Sequence, residues 1–135
     1  QARFVPVDKQ DWRPLDEGRS VLDQVQECSW MPVFLKELLE HGKLAGSMQE
    51  IMARYEGRKE LDTLDKAEQF GTSKTAALLE SIRQIPDSKL QEVVQMPWPG
   101  TWTVLEVMNL HYWNVVYHTA QVNYIQTLLG DRDHH

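Results

Sequence analysis

The sequence holds a single cysteine, Cys28. One thiol cannot close an internal disulfide or supply a cysteine-based zinc site. It fits a reducing compartment, and a cytoplasmic location is the expectation. No run of 18 apolar residues occurs, so no membrane span is expected. The start has no signal-peptide layout, and it opens on Gln1 rather than Met, so Gln1 is not taken as the native start. Lys and Arg form no cluster, and the formal net charge is −6. That balance argues against nucleic-acid binding through phosphate neutralisation. Also missing are a Gly-rich phosphate loop, a G-x-S-x-G elbow, an H-E-x-x-H zinc motif and any internal repeat. What remains is ordinary: 135 residues, 41% hydrophobic and 25% charged, enough for one domain with one core.

The last third is poor in a different way. From Thr101 to Leu129 there is no Pro, no Gly and one formal charge, Glu106. Pro99 and Gly100 precede it and Gly130 follows. This pattern predicts a long helix, apolar on most sides, and such a helix is expected to be buried. It is therefore expected to be the most buried element, with Val115 and Ile125 in the core. Its middle nevertheless carries His111, Asn114, His118 and Gln121. At 100° per residue, positions 111, 114 and 118 share a face within about 60°.

Residues 1–19 contain Pro6, Pro14 and Gly18 and read as an extended lead-in anchored by Phe4, Trp12 and Leu15. Helices are predicted over 20–41, 47–56, 62–85 and 101–129. Ser20 is the expected cap of the first helix and Gly42 its stop, with a kink at Pro32 that frees the Cys28 carbonyl. Gly71 is a candidate break in the third helix. Residues 86–100 form a connector in which 90–94 can be a short extended piece. Helices joined by short loops predict an all-α bundle.

Asn114 and His118 lie four residues apart, the spacing at which two side chains of one helix converge on a metal ion. Asn is a poor ligand for zinc-like metals, and a buried polar ladder along the same face is the other reading. His111 is about 10 Å from His118 along the helix axis. Glu27 is the natural facing carboxylate, in phase with Trp30, Phe34 and Leu38; it is either a paired interior group or a surface residue. Cys28 reads as a small core residue, and the adjacent carboxylate opposes thiolate formation. The five Trp, Trp98, Trp102 and Trp113 among them, suit packing better than base stacking.

Three segments together resemble the DinB-like family of damage-inducible bundle proteins, in particular a divergent bacterial branch. NVVYHTAQVNYIQTLLGD is similar to the family's last-helix signature, a His followed by x-Gly-Gln, an apolar run and Gly. The matching residues are His118, Ala120 in place of Gly, and Gln121. DWRPLDEGRSVLDQVQEC resembles the entry to the family's second helix, where a Ser opens the helix and a metal-binding His follows seven residues later; Glu27 holds that position. LQEVVQMPWPGTWTVLEVM resembles the loop into the last helix. The likeness covers Phe4 to Asp131.

The resemblance implies an up-and-down four-helix bundle with a long crossover; the family's first helix does not fit in full before Phe4–Trp12, so either part of it is missing or the bundle is completed by another chain. It implies a divalent metal (zinc, nickel or manganese) at an altered triad of Glu27, Asn114 and His118, with His111, Gln121 and Cys28 around the pocket. It implies a homodimer, and a small-molecule or thiol ligand, since related proteins include thiol-dependent S-transferases. Two functions follow as expectations. One is metal-assisted transfer or hydrolysis. The other is a non-catalytic bundle, ligand-binding or stress-related, that has lost its metal. In either case Glu27 and His118 should approach within about 8 Å, the reach of a bridging metal or water. The terminal pair His134-His135 is either native or the remnant of a tag.

Overall fold

A computed structural model describes residues 1–133 and 135; His134, half of the terminal pair, lies outside the described residues. Ser20 caps helix α1, Val21–His41, by accepting from the Asp23 amide at 3.2 Å. Gly42 ends it with φ +73, a left-handed turn that glycine takes without steric cost. The helix runs unbroken through the buried Pro32. Ser47 and Glu50 form a reciprocal capping box for α2, Met48–Glu56, which satisfies two free amides at once. Thr63 caps α3, Leu64–Arg83. The starts lie one or two residues inside those expected from the sequence; the ends of α1 and α2 coincide with the expected ones and that of α3 lies two residues inside.

Gly71 does not break α3. A Cβ there would meet the Ser29 Oγ at 2.8 Å, so the glycine lets α3 press closely against α1. The connector forms a two-stranded antiparallel pair, β1 Val93–Val94 and β2 Trp102–Thr103, with Val94 opposite Trp102. The last helix, α4, therefore spans Val104–Leu128 rather than starting at 101. Thr103 caps it and Glu106 closes the capping box, so the segment's lone charge serves the helix start, where the dipole favours a carboxylate.

Among the described residues the chain is all-α apart from this short ribbon. Helix α1 is central, packed against α3 and α4. The larger core gathers Phe34, Leu35, Leu38, Leu78, Val94 and Val107. A smaller one joins Val5, Val21, Val122 and Ile125. The lead-in is not extended; it makes two 3-10 turns, Ala2–Phe4 and Val7–Lys9. Its anchor is Val5, 2% exposed, while the expected anchors Phe4 and Leu15 are exposed and Trp12 is a little over one-third exposed. Glu68 and Asp65 of α3 hold Arg3.

The expectation that the last helix is the most buried is corrected. That place belongs to α1, which leaves only its last two residues, Glu40 and His41, exposed. On α4, Ile125 is buried, but Val115, Tyr112, Trp113, Tyr117 and Tyr124 are exposed. Among the described residues α1 is the one helix packed extensively on α4, with smaller contacts from the amino-terminal turn and the ribbon, and one neighbouring helix cannot cover residues on every side. No helix among the described residues is long and apolar enough to cross a membrane.

Candidate functional site

The polar residues of α1 and α4 meet where the two helices cross. Glu27 and His118 are in direct contact, with His118 Nε2 3.0 Å from Glu27 Oε1. The Asn114 side-chain amide donates to the same oxygen at 3.0 Å. The other carboxylate oxygen accepts from the Tyr55 hydroxyl at 2.8 Å and faces the Arg19 guanidinium at 2.7 Å. One carboxylate thus takes four donors from four places: the loop before α1, α2, and two turns of α4. His118 is 3% exposed. Its Nδ1 faces the Gln121 Oε1 at 2.8 Å and the Gln24 Oε1 at 3.3 Å. Both ring nitrogens therefore face side-chain oxygens.

The charges alternate outward from Glu27. Arg19 bonds Asp23 through Nε at 2.6 Å, and Arg58 bonds Asp23 at 3.1 Å while its guanidinium lies 4.1 Å from the Tyr55 ring centroid. Burial is the largest single influence on Glu27 and opposes its ionisation. The hydrogen bonds from His118 and Tyr55 and the charge of Arg19 together outweigh burial, so the carboxyl is held well below its usual range. Burial, and then the hydrogen bond to Glu27, raises the Tyr55 hydroxyl.

Cys28 is a poor nucleophile here. Burial first, and the Glu27 charge second, push its thiol up to about 12, which leaves little thiolate at neutral pH. Its Sγ lies 4.0 Å from the Asn114 carbonyl oxygen. A cavity of about 180 Å³ opens beside it, walled by Val25, Val115, His118, Thr119 and Val122. His111 faces away to α3, its Nε2 3.0 Å from the Thr75 hydroxyl, and burial lowers its pKa. Of the residues expected around the site, Glu27, Asn114, His118, Gln121 and Cys28 come together, and His111 does not bond with them.

Arg19, Tyr55 and Gln24 were not singled out from the sequence. Arg19 precedes a helix cap and Tyr55 belongs to the apolar stripe of a short helix, so neither position signals a partner on another element. Among the described residues, no group of three or more His, Cys, Asp or Glu is placed to hold a metal ion. The altered triad fits a metal poorly on its own chemistry. The oxygens of Glu27 are already engaged, one by a guanidinium, and Asn114 turns its NH2 toward the carboxylate. The Asn114 Oδ1 is buried and has no partner among the described residues, but a single amide oxygen beside an arginine is a weak cation ligand. No protein-family model, curated protein sequence or solved structure matches the chain.

Proposed function

We propose that this chain is a non-catalytic helical module of DinB-like type, in which an ion-paired polar cluster stands where the resemblance places a metal. The observation that carries this reading is the fourfold satisfaction of Glu27 by Arg19, Tyr55, Asn114 and His118. A divalent cation and an arginine compete for the same carboxylate, and the arginine adds no exchangeable position for a substrate. With His118 buried and the Cys28 thiol held protonated, neither group offers a general base or nucleophile to a substrate at this cluster. The cluster ties α1, α2 and α4 together. Buried ionic groups of this kind hold elements in one register more than they add net stability.

Metal analysis of protein purified without a His tag tests this reading. We expect metal far below one equivalent, and a melting temperature unmoved by chelator or by added zinc, nickel or manganese. One equivalent of a divalent metal that is lost in His118→Ala and raises the melting temperature would instead support metal-assisted chemistry at the triad.

A further inference from the structure

A cleft of about 750 Å³ lies where α1 and α3 end, beside β1. At 1.5 Å per residue, its α1 wall, Lys36 to Gly42, is roughly 14–22 Å along the helix from Glu27, so the cleft is separate from the polar cluster. Its volume falls within the roughly 300–1,000 Å³ of ligand pockets. Leu39, Ile85 and Val104 give it an apolar floor.

The strand on its wall has an open edge. The ribbon sets Val93 opposite Thr103 and Val94 opposite Trp102. Just before that pair, the Val104 amide donates to the Glu92 carbonyl at 3.0 Å. Hydrogen-bonded and non-hydrogen-bonded pairs alternate along an antiparallel ladder. Glu92 and Val94 therefore bond toward β2, and Val93 turns its N–H and C=O the other way. The Gln95 amide, two residues on, also points outward and reaches the Gly42 carbonyl at 2.7 Å. The Val93 groups have no hydrogen-bond partner among the described residues. Val93 is 67% exposed and lines the cleft.

We infer that this cleft binds an extended peptide segment of another protein, which adds to the free edge of β1 at Val93 and sets an apolar side chain among Leu39, Ile85 and Val104. An added strand supplies the acceptor and the donor that one outward-facing strand residue requires, and its alternate side chains reach the cleft. A helix satisfies its own main chain and offers neither group. Gly42 and Lys43 already occupy the edge at Gln95. The incoming strand therefore pairs at Val93 alone, which makes the attachment weak and reversible. The rim carries Glu40, Glu80 and Glu92 against Lys36 and Lys89, in a chain of net charge −6. Basic residues beside the apolar one are thus favoured over acidic ones.

Fluorescence anisotropy with a short, end-capped, dye-labelled peptide of alternating valine and lysine is the test. Saturable binding in the micromolar range is expected. Val93→Pro deletes the outward N–H and leaves the bonds of Glu92 and Val94 to β2 in place. Ala77→Phe fills the cleft from α3. Each should weaken binding about tenfold or more, with helical circular dichroism retained. Tyr117→Ala, on α4 and outside the cleft, should leave binding unchanged. The same peptide N-methylated at every amide cannot donate, and it should bind the wild type about tenfold or more weakly. This last comparison stands even where a variant fails to fold. Absence of saturable binding overturns the proposal. So does undiminished binding of the N-methylated peptide, or undiminished binding by either folded cleft variant. The metal analysis above concerns the Glu27 cluster, so either test can fail without the other.

Discussion

Helices α1 and α4 are the two longest, and their burial runs opposite to their composition. Helix α1 carries Asp23, Glu27, Lys36, Glu37 and Glu40, yet nearly every residue is at least partly covered. Helix α4 carries one formal charge, yet Trp113, Tyr112 and Tyr124 stand largely in water. The difference comes from position. Helix α1 has α3 on one side and α4 on another, and Arg58 and Tyr55 close over its charged start. Helix α4 has one long neighbour. Greasiness states what a helix needs, whereas the number of neighbours decides what it gets in a single chain. The polar residues follow the same rule: Glu27 is kept inside because three other elements bring donors to it.

The contrast can be broken most sharply at Leu35, 1% exposed on α1. Leu35→Ala should cost about 2–5 kcal/mol through lost burial and the cavity left behind, read from a denaturant melt. A loss below 1 kcal/mol on the order of a surface change would remove α1 from the centre.

Glu27→Gln comes next. It keeps the shape but leaves Arg19 and His118 facing an uncharged group. Because the Glu27 side chain is still 16% exposed, the cost is set below that of a fully buried pair, at about 2–4 kcal/mol. The acid dependence should change with it. In the unfolded chain this carboxyl takes up its proton near the ordinary value of 4.5, whereas in the folded chain it stays ionised well below that. Its contribution is therefore fully present above pH 4.5 and is lost as the pH falls toward the depressed folded value. Melts of the wild type and of Glu27→Gln should converge as the pH drops below 4.5. Parallel curves throughout would show that Glu27 is not held ionised in the fold.

The smallest effect is expected at Val115. The sequence placed it in the core, but it is 38% exposed on α4. Val115→Ala should cost under about 1 kcal/mol, against about 1–3 kcal/mol for Ile125→Ala, which is 3% exposed. Equal losses would mean that α4 is covered on both sides.

The sequence by itself determined the local features of this protein. Ser20 accepts from the Asp23 amide and the Gly42 amide donates to the Leu38 carbonyl, so both ends of α1 can be read from neighbours in the chain; the start of α4, set back by the ribbon, could not. The phase of Glu27 and His118 followed from helical periodicity, and their contact at 3.0 Å meets the expected approach. Only the tertiary structure decided what those residues touch. Arg19 and Tyr55 converge on Glu27 from separate elements, and Gly71 serves a contact with Ser29 rather than a break in α3. Which face of α4 lies in water was decided there too. Periodicity can name the apolar sides of a helix, but the neighbours that cover them come from elsewhere in the chain, through packing that local spacing does not encode.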